Sequence, residues 1–114
     1  MNAVGSFEAL AESEPFEGLR RRTFDGQGAT VSEYRFAPGA RFPLHAHAEE
    51  QITLVTDGEV ELTAGAETVR LAAGGWAVTA GGVPHGIRAG ERGARVLAIV
   101  VPRRPAPDAY ELLG

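Results

Sequence analysis

An all-β chain, folded as an antiparallel sandwich or barrel, is the class that the sequence predicts, on three observations. Short segments rich in β-branched and aromatic residues recur, glycine turns part them at regular intervals, and almost no stretch carries a helical period. From residue 30 the pattern is β throughout. Thr30 to Ala37 is a strand stopped by Pro38-Gly39. Ile52 to Thr56 is a short apolar run, and Asp57-Gly58 reads as a hairpin turn after it. Val60 and Leu62 alternate with Glu59, Glu61 and Thr63, as in a strand with one wet face. Ala64 to Ala66 turns and Thr68 to Leu71 returns. Ala73-Gly74-Gly75 turns again into the strand Trp76 to Thr79. Arg95 to Val101 closes the β region with a continuous apolar run, the pattern of a strand buried on both faces.

The flanks are less regular. Residues 1–18 form an acidic N-terminal arm in which Phe7, Leu10 and Phe16 can anchor a helical or extended segment, or pair with a second subunit. Arg20-Arg21-Arg22 reads as a solvated strand with alternate side chains outward rather than as a basic patch. In the tail, residues 102–114, Pro102, Pro105 and Pro107 impose irregularity, and Tyr110 to Leu113 is expected to dock back as one helical turn. At 114 residues, with no internal repeat or linker, a single domain over 1–114 is expected, its barrel core spanning 30–101.

Composition removes several function classes. No cysteine means no disulfide, thiolate nucleophile or cysteine metal site. All eleven basic residues are arginine, so no lysine can form a Schiff base. A net charge of −4 argues against nucleic acid, and no apolar run reaches membrane-spanning length. The N-terminus has neither a basic n-region nor a long apolar core, which makes a cytoplasmic location the default expectation.

The chemistry concentrates in three histidines. His45 and His47 stand at i and i+2, on one face of an extended strand, where both imidazoles can reach one metal ion. Gln51 follows four residues later, and His85 lies far away in Gly-Gly-Val-Pro-His-Gly. Glu49, of the same strand parity as His47, and the adjoining Glu50 compete with Gln51 for the oxygen position. Tyr34 and Phe36 share one strand face and either line a cavity or pack the core, and Trp76 is core or a wall of the mouth. Arg35 falls on the opposite face, and Arg41 in the loop leading to the histidines. Arg104, just past the last strand, is either a clamp for a substrate carboxylate or an exposed tail arginine.

These residues resemble the cupin family. Gly39, His45, His47, Gln51 and Gly58 fall at the intervals of its first motif, with glutamine at the usual glutamate position. Gly74, Gly82 and His85 fit the second motif, while Ala80 and Ala89 replace its proline and asparagine. The resemblance implies a double-stranded β-helix, or jelly-roll barrel, with a divalent metal held by His45, His47, Gln51 and His85 in one mouth. Zinc, nickel, manganese, iron and copper all suit imidazoles with one oxygen. Without a carboxylate the ion keeps its full charge and acts as the stronger Lewis acid.

Within the family the chain is similar to small cupins with a His-x-His-x-x-x-Gln site, including those that linearise unsaturated uronates. The functional pattern of that group after the last strand is Asp-x-Phe-x-x-x-Arg. This chain has Ala98, Val100 and Arg104 there, so the general acid or base is missing and efficient uronate turnover is not expected. The resemblance leaves a metal-dependent enzyme (isomerase, lyase, cyclase or dioxygenase) acting on a small oxygen-chelating substrate, with Tyr34 and Arg104 as candidate catalytic residues. Its rivals are a non-catalytic binding module and a barrel with structural metal and a protein partner. A homodimer is expected from the arm and from exposed strand edges.

Overall fold

Residues 2–114 are described by the computed structural model. One 3-10 turn, Phe7–Ala9, is followed by nine strands: β1 (Ser13–Phe16), β2 (Leu19–Asp25), β3 (Thr30–Phe36), β4 (Arg41–Ala46), β5 (Glu50–Ala64), β6 (Glu67–Ala72), β7 (Trp76–Thr79), β8 (His85–Val101) and β9 (Glu111–Leu112). Two of these organise the rest. β5 and β8 have 15 and 17 residues, and they pair antiparallel from Glu50↔Val101 to Ala64↔His85. Register shifts between Val55 and Asp57 and between Gly58 and Val60 mark bulges, where the long pair bends. Its two halves thus serve two sheets. One runs β1-β2-β3-β8-β5-β7, the other β9-β4-β8-β5-β6.

The bend requires glycine. Gly58 has φ +74°, and a Cβ there would sit 2.2 Å from the Gly93 carbonyl oxygen. Asp57-Gly58 is therefore a corner inside one strand, not the hairpin turn that the dipeptide predicts; a positive φ serves a bulge as well as a turn. Between the sheets, Leu19, Phe36, Val55, Val60, Leu62 and Val96 fill the core, all 5% exposed or less. β3 alternates buried and half-buried residues along its whole length, with Tyr34 and Phe36 inward as their shared face requires.

Several expectations are corrected. β8 is not buried on both faces: Val96, Ala98 and Val100 point in, Leu97 and Ile99 are half-buried, and Val101 is exposed. Trp76 is 66% exposed, because β7 is an edge strand whose outward row pairs it with Leu54. Arg41 begins β4 rather than lying in a loop. Arg20 points outward, but Arg21 is buried and Arg22 half-buried. Tyr110 to Leu113 is not helical; β9 instead pairs His45↔Leu112 and Ala46↔Glu111 across β4.

The N-terminal arm folds onto its own chain. β1 pairs with β2, and Phe16 meets Phe42 edge-on at 5.0 Å. Glu12 pairs with Arg20 at 2.7 Å, and Glu8 with Arg22 at 2.9 Å and with Arg35. No helix among the described residues is long and apolar enough to cross a membrane.

Candidate metal centre

The three histidines meet at the barrel end away from the glycine corner. His45 on β4 lies opposite His85 at the start of β8, His47 occupies the connection from β4 to β5, and Gln51 comes from the facing sheet. All four are buried, at 3, 8, 5 and 1% exposure for His45, His47, Gln51 and His85. The potential ligand atoms of the three histidines lie within 4.8 Å of one another.

Hydrogen bonds fix which atoms face inward. Nδ1 of His45 donates to Pro43 O at 2.8 Å, Nδ1 of His47 to Glu49 O at 3.0 Å, and Nδ1 of His85 to Val83 O at 2.9 Å. A carbonyl only accepts, so each neutral ring carries its proton on Nδ1 and turns an Nε2 lone pair to the centre. Gln51 Nε2 donates to Thr53 Oγ1 at 3.1 Å, which turns Oε1 inward. That oxygen lies 3.1 Å from His47 Nε2 and 3.2 Å from His85 Nε2. Acceptors thus face acceptors, with no proton between them.

A buried cluster of lone pairs is costly unless a cation lies among them. Protonation is a poor answer. Burial, reinforced by the neighbouring His85, lowers the His45 pKa to about 3, and burial also lowers that of His85. The donor set therefore fits a metal ion: three neutral imidazoles and one amide oxygen, converging and oriented from behind.

Gln51 rather than Glu49 joins the cluster. The Glu49 carboxylate stands 4.0 Å from His47 Nδ1, on the side of the ring already bound to backbone, while Glu50 is exposed. The bond from His85 Nδ1 to the Val83 carbonyl, which a purely structural histidine would also make, here positions Nε2 toward the site. Tyr34 lies one layer behind His45: its ring is 5.9 Å from Phe42, Phe42 stacks on His45 at 4.1 Å, and the Tyr34 hydroxyl meets Arg21. Arg104 is not an exposed tail residue. It is 6% exposed, its backbone N–H donates to Thr30 Oγ1 at 2.9 Å, and its charge helps to lower the pKa of His45 and His85.

Sequence reasoning missed three participants. Tyr110 stands 5.5 Å from the His45 ring and Phe42 closes the wall behind it, while Thr53 aims the Gln51 amide. Only β-strand parity with Gln51 could have pointed to Thr53. A surface hollow of about 620 Å³ between Phe16 and Arg88 is lined by no histidine.

The cupin domain family matches residues 32–101, which hold all four of these ligand candidates. The chain belongs to the cupin family. No curated protein matches it in sequence. Among solved structures, an RmlC-like cupin from Shewanella frigidimarina superposes with a TM-score of 0.83 at 22% identity, over 92% of this chain and 95% of that one. A mutant oxalate decarboxylase from Bacillus subtilis gives 0.88 at 21% identity, over 99% of this chain but only 34% of its own. This cupin thus spans about a third of the decarboxylase. At these identities the likeness shows the jelly-roll fold.

Proposed function

We propose that this cupin is a metal-dependent enzyme acting on a small oxygen-chelating substrate, with His45, His47, His85 and Gln51 as its metal ligands. The observation that carries it is the convergence of three Nε2 lone pairs and Gln51 Oε1 on one buried point. The Bacillus subtilis oxalate decarboxylase, similar in fold, has Mn(II) centres, which agrees with a divalent ion here. When bound, a divalent ion supplies Lewis-acid polarisation of ligand oxygens, strengthened by a ligand set without negative charge. The chain's own groups do the rest. Phe42 and Tyr110 exclude water from the His45 side. Burial and the nearby Asp108 raise the Tyr110 pKa, so its hydroxyl stays protonated and serves as a donor. Arg104 supplies fixed positive charge, and Tyr34 acts one layer back, through Phe42.

Ala98 and Val100 face inward beside Thr53 and Gln51, at 3% and 2% exposure, so no carboxylate sits where the uronate-linearising pattern needs one. Calorimetric titration of metal-free protein with Zn²⁺, Ni²⁺ and Mn²⁺ tests the ligand set. One ion per chain is expected, with affinity falling at least about 100-fold in His85→Ala. Absence of saturable binding by the wild type would sink it. The low exposure of all four ligands also favours a second reading, a closed structural site, which predicts no ion-dependent binding of small oxyacids.

We further propose a homodimer of two copies of this cupin. Trp76, Val78 and Phe24 are exposed around the half-buried Ile52 and Ile99 on one outer sheet face. A neutral apolar row matches its own copy across a two-fold axis. Light scattering at micromolar concentration should give twice 12.0 kDa, and Val78→Glu should halve it; a wild-type monomer would count against the dimer.

A further inference from the structure

Two buried arginines converge beneath the C-terminal tail. Arg21 on β2 and Arg104 after β8 are each 6% exposed, and a guanidinium keeps its charge wherever it is placed. Arg21 Nη2 donates to Asp108 Oδ1 at 3.2 Å, and its Nη1 to Pro107 O at 3.4 Å. Arg104 Nη1 donates to the same Pro107 carbonyl at 3.2 Å, while its Nε is buried without a partner. Two buried cations therefore share one carbonyl, and the one carboxylate that pairs with them, Asp108 on Arg21, has a side chain 70% exposed. Each guanidinium has five N–H donors, and the protein pairs only part of them: Arg21 also meets the Tyr34 hydroxyl, while Arg104 keeps its buried Nε free. That surplus is the chemistry that recognises a carboxylate in the bidentate manner.

The arginines stand at the histidine end of the barrel. Arg104 Cζ lies 6.0 Å from the centre of the Tyr110 ring, and that ring is 5.5 Å from His45. Tyr34 lies directly across from Arg21 in the β2–β3 ladder. The segment carrying Pro107, Asp108 and Tyr110 ends in β9, which β4 holds through only two residue pairs and the bond from Leu113 N to Leu44 O at 2.9 Å. An exposed carboxylate on a lightly held tail is a weak competitor for an ionic partner.

We propose that Arg21 and Arg104 form a carboxylate-binding site beside the histidine cluster, in which Asp108 is an internal counter-ion that a ligand carboxylate displaces. This rests on the metal-enzyme reading and deepens it: the substrate becomes a small oxygenated carboxylic acid, its carboxylate on the arginines and its second oxygen at the histidine centre. Displacing Asp108 also loosens the segment that lays Tyr110 over His45, so the same event admits the ligand.

The test is calorimetric binding of malonate to the full chain, metal-loaded and metal-free, with uncharged malonamide as control. A latch closed in about nine molecules of ten lowers apparent affinity about tenfold, so Asp108→Asn should tighten malonate binding by about that factor in both forms. Arg21→Gln should abolish the gain. Unchanged or weaker binding by Asp108→Asn would overturn the proposal, as would equal affinity for malonamide. Asp108 is exposed enough for its variant to fold, so this arm decides even where Arg21→Gln does not. A protein that takes up no ion but shows the Asp108 effect keeps the arginine site and loses the metal reading; ion uptake without that effect does the reverse.

Discussion

The two ends of this barrel are built by the same strands and have opposite chemistry. At the glycine corner β2, β3, β5 and β8 bring Leu19, Phe36, Val55, Val60 and Val96 together, a continuous apolar plug. At the other end the same strands supply Arg21, Thr30, Gln51, Thr53 and His85, also buried but polar. Burial thus has two different meanings within one core. The corner gains stability from area removed from water, while the histidine end spends it on holding lone pairs without protons.

The comparison breaks most severely at the corner. Gly58→Ala places a methyl group against the Gly93 carbonyl oxygen in a left-handed backbone, and should cost about 3 kcal/mol or more of stability. Urea unfolding would show it, and metal affinity of the molecules still folded should change little. A loss under about 1 kcal/mol would mean that the corner is not the rigid end.

Acid should strike the histidine end selectively. A histidine in the unfolded chain takes a proton near 6.5, and His45 in the fold only near 3. Between those values the unfolded state binds more protons, so stability is complete above about 6.5 and falls as pH drops toward 3. His85 shifts in the same direction. Melting of metal-free protein between pH 7 and 4 should therefore show a falling Tm; a flat profile would mean that the histidines are not held neutral.

The smallest effect sharpens the contrast. Thr53→Val keeps the shape of a fully buried residue but removes the acceptor that aims Gln51. Metal affinity should fall about tenfold, measured by competition with a chelating dye. Unaltered affinity would show that the amide holds its orientation without Thr53.

The ligand end was the more legible in the sequence, because its spacing is local. His45, His47 and Gln51 lie within seven residues, and parity alone puts the two histidines on one face. His85 and the jelly-roll topology came through family motifs rather than through periodicity. The corner was misread because Asp57-Gly58 signals positive φ without saying whether the strand turns back or bends on. Arg21 was illegible for another reason: its charged partner, Asp108, is 87 residues away, so the run of three arginines looked solvated. Trp76 misled because an edge-strand aromatic has the same local pattern as a core one.

The long β5–β8 ladder also sets a timetable for the nascent chain. β5 finds β6 and β7 soon after it is made, but Gln51 must wait for Val100 and Glu50 for Val101. At ribosomal speeds of roughly 5–20 residues per second, that wait is on the order of seconds. During it β5 has an open edge and Gln51 has no histidine from β8 to face. The cluster of His45, His47, Gln51 and His85 is thus among the last features to exist, complete only after synthesis has passed residue 101.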